Sequence, residues 1–82
     1  MKIKLKLYYG LEKYIKNYDK ENGMDIKLNS KENIKSLINH FIPKDAWGVA
    51  SIIVLVNKKV TNHEYLVKDG DIIEMFPISG GG

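Results

Sequence analysis

One helical stripe set among alternating segments constrains this chain most. Ile34, Leu37, Ile38 and Phe41 recur at i, i+3, i+4 and i+7, which places all four on one face of a helix. Asn29 stands ahead of that run as the expected N-cap. Glu32 sits where a capping-box carboxylate would reach back, and Pro43 blocks continuation. No other segment supports a helix of comparable length. A chain with one substantial helix can cover only one face of a sheet, so the other face becomes the question.

The flanking segments alternate with period two. From Lys2 to Tyr9, Ile3, Leu5 and Leu7 point one way and the lysines the other, as in a half-buried strand. Leu11 to Tyr18 carries apolar residues at 11, 14, 15 and 18 and suits a short helical segment. Asp19 to Gly23 is a polar loop turned by Asn22-Gly23, and Met24 to Leu28 alternates again. These two strands are expected to pair as a hairpin with a long connection. Trp47 follows the helix in a loop and is expected over the edge of the core.

Ile52 to Val56 is a strand that is apolar on both sides. Asn57-Lys58-Lys59 turns it and Val60-Thr61 begins a short return. Lys68-Asp69-Gly70-Asp71 is a tight turn, Ile72 to Phe76 is the last strand, and Pro77 is expected to end it. The order β-β-α-β-(β)-β shows no repeat and no linker. It predicts one domain over residues 1–76 followed by a flexible glycine tail over 77–82.

Composition removes several classes of function. The 82 residues include no cysteine, which excludes disulfides and thiolate chemistry. The net charge of +3 comes from lysine alone, without arginine, and the lysines are scattered. Nucleic-acid sites favour clustered cations, arginine forks and interleaved aromatics, so no nucleic-acid partner is expected. The apolar run Ile52–Val56 is far short of a membrane span, and the cytoplasm is the simplest expectation. His40 and His63 lack the spacing and company of a metal or catalytic site, and no metal is expected. Ser51 has no nucleophile context. Asp69 and Asp71, flanking a glycine, read as turn formers rather than paired acids. No glycine-rich loop precedes a helix, so no phosphate cradle is expected. The chain carries no catalytic constellation of its own.

Two features point outward instead. Ile73 and Met75 share one face of the last strand, while Ile72, Glu74 and Phe76 share the other. Glu74 marks that second face as solvated, yet Ile52–Val56 is apolar there too. Either a partner covers this surface or the Leu11–Tyr18 segment or the Trp47 loop does. The second feature is the ending Phe76-Pro77-Ile78-Ser79-Gly80-Gly81-Gly82. Glycines without Cβ atoms can enter a narrow channel. Extended, Pro77 to Gly82 would reach about 20 Å.

The element order, the Lys68-Asp69-Gly70-Asp71 turn and the ending Phe76-Pro77…Gly81-Gly82 together resemble the MoaD/ThiS family. The resemblance covers the whole chain. It implies an α+β ubiquitin-like β-grasp, a mixed four- to five-stranded sheet with one main helix on one face. It implies a sulfur carrier whose C-terminal Gly82 is adenylated and then converted to a thiocarboxylate. Gly80 and Gly81 would give passage through a channel. Ile72, Phe76, Pro77 and Ile78 would serve partner binding and the tail's departure. The implied partners are an E1-like adenylating enzyme, the large subunit of molybdopterin synthase and a sulfur donor protein. ATP would be used by the activating partner, with no cofactor held permanently.

Phe76-Pro77 and the added segment Tyr8–Gly23 favour the molybdopterin branch. Two departures bear on that branch: Ile78 stands where a second proline is common, and Asn57-Lys58-Lys59 where a glycine often occurs. Three alternatives stay open: sulfur carriage toward thiamine thiazole, a ubiquitin-like modifier joined through Gly82, and a β-grasp interaction domain with an inert tail.

Overall fold

The computed structural model describes residues 1–45 and 51–78. Five strands form one mixed sheet: β1 (Lys2–Leu7), β2 (Met24–Lys27), β3 (Ile52–Val56), β4 (Lys59–Val60) and β5 (Ile72–Pro77), in the spatial order β2-β1-β5-β3-β4. Among the described residues, one helix, α1 (Ile34–Phe41), and a 3₁₀ turn at Leu11–Tyr14 accompany the sheet. β1 and β2 pair antiparallel, as the hairpin reading expects. β5 enters the middle of the sheet, parallel to β1 and antiparallel to β3.

Period-two patterning decides which face of each strand is dry. Ile3, Leu5 and Leu7 of β1, Ile52, Val54 and Val56 of β3, and Ile73 and Met75 of β5 all enter one core. From α1, Ile34, Leu37 and Ile38 meet them. Phe41 packs at the margin, and Ile42, just past the helix, is buried as well. Leu11 enters the same core from the 3₁₀ turn. That places the Leu11–Tyr18 segment with the helix and not over the opposite face.

The helix starts later than its sequence suggests. Asn33, not Asn29, is the N-cap: its side chain accepts from the Ser36 N–H at 2.8 Å. Residues 29–33 are held outside the helix by tertiary bonds. The Val67 N–H donates to the Glu32 carbonyl, and Asn33 bridges to Leu66. Glu32 therefore plays no part in a capping box.

Gly23 lets β2 approach β1 closely. Its φ is +76°, and a Cβ there would lie 2.7 Å from the Leu5 carbonyl oxygen. At the other end of the sheet, Asn57 and Lys58 both have positive φ, 52° and 72°, and make the tight turn between β3 and β4. β5 runs one residue beyond the expected stop. Pro77 pairs with Ile52, and the Ile78 N–H donates to the Ser51 carbonyl at 2.7 Å. Pro77 thus falls at a non-hydrogen-bonded position of the β3–β5 ladder, where its missing N–H loses nothing. The expected position of Trp47 lies outside the described residues.

Candidate functional site

Two groups of polar residues hold β5 in place, one at each end. At its start, Asp69 accepts from the Lys2 N–H at 2.7 Å, and the Gly70 N–H returns to the Lys2 carbonyl at 2.7 Å. Asp71 is buried and takes three donors: the Lys68 N–H at 2.8 Å, the Tyr65 hydroxyl at 2.9 Å and the Asn57 amide at 3.0 Å. Burial pushes the Asp71 carboxyl up, but these bonds outweigh it and hold it below its usual value. The bond to Asp71 raises the Tyr65 hydroxyl in turn. Both aspartates are turn formers, as their spacing implies.

Glu74 departs from the sequence reading. It does not mark a solvated surface; it is 3% exposed on the face opposite the helix. The Tyr8 hydroxyl donates to its Oε2 at 2.6 Å, and Lys58 Nζ donates to the same oxygen at 3.3 Å. Lys58 Nζ also lies 3.1 Å from Oε1, close enough for an ion pair but without hydrogen-bond geometry. Burial raises the Glu74 carboxyl, yet the Tyr8 bond and Lys58 together carry it below its usual value. Tyr8 answers with a hydroxyl pushed up to about 12, first by its bond to Glu74 and then by burial. Alternation alone could not find this group, because Tyr8, Lys58 and Glu74 come from three separate segments.

The Tyr8 ring also stacks on Phe76, with centroids 4.5 Å apart and planes 5° from parallel. Tyr9 tilts against Phe76 at 6.1 Å. Register sets Ile53 opposite Phe76, and Leu55 opposite both Glu74 and Val60. Ile53, Ile72 and Val60 are exposed, and Phe76 is half-buried. An apolar strip therefore crosses the open face from Tyr9 through Phe76 to Ile53. Ile78, also exposed, joins Ile53 and Val60 in lining a shallow groove.

Of the sequence-predicted site residues, the structure brings Ile72, Phe76, Pro77 and Ile78 together along β5 and its continuation. Gly80, Gly81 and Gly82 lie outside the described residues. Sequence reasoning missed Tyr8 and Tyr9, although the alternation that sends Lys4 and Lys6 to the open face sends Tyr8 there too. His63 Nε2 lies 2.8 Å from the Ile52 carbonyl oxygen, a local bond at the sheet edge. Among the described residues, no group of three acidic or histidine side chains could hold a metal ion. No helix among them is long and apolar enough to cross a membrane.

The sheet order, the single helix on one face and the central β5 define a ubiquitin-like β-grasp. Solved structures share it. The crystal structure of SAMP1 from Haloferax volcanii superposes with a TM-score of 0.68 at 16% identity, covering 100% of both chains. Molybdopterin converting factor subunit 1 from Pyrococcus furiosus gives 0.67 at 18% identity, covering 93% of this chain and 95% of that one. A complex of subunits 1 and 2 of the molybdopterin-converting factor from Helicobacter pylori gives 0.59 at 21% identity, covering 100% of both chains. A search of curated proteins by sequence finds no match. The sequence profile of the ThiS family matches residues 11–82, and the chain belongs to that family. A sulfur-carrier role accompanies that membership.

Proposed function

We propose that this protein carries sulfur as a thiocarboxylate on Gly82 and delivers it in molybdopterin assembly. The observation that carries the reading is the family match, which runs through Gly82, on a fold whose central strand β5 leads in sequence to that residue. A carboxylate is an anion at neutral pH and a poor electrophile. An E1-like partner would join it to ATP, releasing pyrophosphate and leaving an acyl-adenylate. Sulfide, supplied by a donor protein, would attack the acyl carbon; the C–S bond forms, the C–O bond to AMP breaks, and AMP leaves. Gly80 and Gly81 would pass the thiocarboxylate into the catalytic subunit.

The body would supply docking affinity. A glycine segment offers little apolar area and costs backbone entropy to order. The strip Tyr9–Phe76–Ile53, with Ile72 and Ile78, is held at a fixed distance from the start of the tail by the Ile78–Ser51 bond. The pairing of subunits 1 and 2 in the Helicobacter pylori complex supports a large-subunit partner here.

Incubation with ATP, the adenylating enzyme of the source organism and a sulfide donor, followed by intact-mass measurement, tests the reading. The expected result is the mass gain of one oxygen-to-sulfur exchange, lost when Gly82 is deleted. Thiocarboxylate formation on a chain extended past Gly82, without trimming, would overturn it. The second reading is sulfur carriage toward thiamine thiazole, favoured by the match to the ThiS family over residues 11–82. Reconstitution with the large subunit and a pterin precursor separates the two.

A further inference from the structure

We propose that the open face selects a partner whose apolar contact is flanked by a carboxylate, and that Lys58 is the residue that meets it. The inference rests on the docking role proposed above and adds the chemistry of the partner. Strand register puts Lys2, Lys4 and Lys6 of β1, and Lys27 of β2, on the face opposite the core. Lys58 reaches the same face from the β3–β4 turn. Against these five lysines stand Asp25 and Glu74 on the strands, with the exposed Glu64 at the rim of the groove lined by Ile53, Val60 and Ile78. Asp25 is engaged by Lys4 at 3.6 Å and Lys2 at 3.9 Å. Glu74 is buried and presents almost no surface. The face is therefore apolar along its centre and positive on its β1–β2 side and at Lys58.

Lys58 differs from Lys2 and Lys4, which only approach the half-exposed Asp25, in hydrogen-bonding a buried carboxylate. Its backbone sits in the left-handed region, its ammonium contacts Glu74, and its side chain is still 73% exposed. An ammonium has three donors. Glu74 can engage at most two with its two oxygens, so at least one remains for an incoming group. Glu74 and Phe76 lie two residues apart on the same face of β5, and the Tyr8 hydroxyl bonds Glu74 while the Tyr8 ring stacks on Phe76. The charge is thus placed beside the aromatic strip in advance of binding. Less side-chain freedom is then lost on contact than for a free lysine. Glu74 acts as a positioning residue that aims Lys58.

The experiment measures the affinity of the full chain for the purified adenylating enzyme of the source organism. Calorimetry at about 50 mM and about 500 mM NaCl separates screened charge from apolar contact. Wild type is expected to weaken about tenfold at high salt. Lys58→Gln should weaken binding about fivefold to tenfold at low salt and flatten the salt dependence, while Lys58→Arg stays within about twofold of wild type. Lys58→Gln leaves Glu74 without its counter-charge, so the double variant Lys58→Gln/Glu74→Gln guards against a folding artefact. It should show the same loss of affinity with an intact thermal transition. If Lys58→Gln and the double variant bind like wild type with the same salt dependence, while Phe76→Ala still weakens binding, the charge inference is overturned and the docking face stands. If Phe76→Ala and Lys58→Gln are both silent, the docking face itself is wrong and this inference goes with it.

Discussion

The two faces of the sheet are made from the same strands and obey different rules. On the helix side, β5 contributes Ile73 and Met75, both fully buried among leucine, isoleucine and valine. On the other side, one residue away in each direction, it contributes Ile72, Glu74 and Phe76. The first face is closed by shape and apolar area. The second is organised by a few polar bonds and a stacked aromatic pair, and the described residues leave apolar surface on it uncovered. A small domain with one helix must leave one face without a second layer, and here that face is partly ordered from within. The buried Glu74 fixes Tyr8 and Lys58, and Tyr8 fixes Phe76. The difference teaches that burial alone does not identify core: Glu74 is nearly as buried as Ile73 but belongs to the face opposite the helix.

Substitutions in neighbouring residues test this division. The largest loss is expected on the closed face. Leu37→Ala and Ile73→Ala should each lower unfolding free energy by about 2–5 kcal/mol, as for buried aliphatic side chains elsewhere. Urea titration measures it, and a loss under about 0.5 kcal/mol would remove Leu37 or Ile73 from the core.

Tyr8→Phe comes next. It keeps the ring on Phe76 and removes one of the two groups satisfying Glu74, so a loss of about 1–3 kcal/mol is expected. The folded Tyr8 hydroxyl titrates near 12, above its usual value of 10.0. Its contribution is therefore complete below pH 10 and lost as pH rises toward 12. The stability gap between wild type and Tyr8→Phe should therefore be constant up to about pH 10 and close as pH rises toward 12. A gap that does not narrow in urea titrations over this range would mean the Tyr8–Glu74 bond is not made in solution.

Phe76→Ala should cost about 1 kcal/mol of monomer stability through the lost stack. It should also weaken partner binding by about 1–3 kcal/mol. Thermal melts and calorimetry read the two separately. A stability loss as large as that of Leu37→Ala would move Phe76 to the closed face.

Acid stability distinguishes the polar anchors. Asp71 and Glu74 both have lowered folded values, against usual values of 3.8 and 4.5. Their contributions are present above those usual values and are lost as pH falls through the folded ones. Urea midpoints should hold steady from neutral pH down to the unfolded carboxyl range and drop below it, less steeply in Asp71→Asn. The smallest effect is expected at Ile72→Ser, within about 0.5 kcal/mol on the monomer, because Ile72 is exposed. A cost comparable to Ile73→Ala would mean the open face is packed after all.

Much of the fold was legible before any coordinates. Period-two alternation named the buried residues of β1 and β5, and the i, i+3, i+4, i+7 stripe named those of α1, because both patterns follow from local backbone geometry; in β3, apolar on both sides, only the structure chose Ile52, Val54 and Val56. The Asp69-Gly70-Asp71 turn was legible for the same reason. The helix start was not. Asn29 and Asn33 are equally good caps by composition, and only the Val67–Glu32 bond and the Asn33–Leu66 bridge, made to a segment over thirty residues away in the chain, exclude the first. The end of β5 was misjudged at Pro77, because whether a missing N–H matters depends on the register of the neighbouring strand.

Of the candidate site, the sequence by itself determined the residue types along β5 and the glycines that follow it, and with them the family. It could not determine that Glu74 is covered, that Tyr8 stacks on Phe76, or that Lys58 points its charge at the open face. Those facts depend on a parallel pairing of the first and last strands and on a turn between two others. Segments far apart in the chain meet there only after the sheet has formed, and a local pattern carries no record of that meeting.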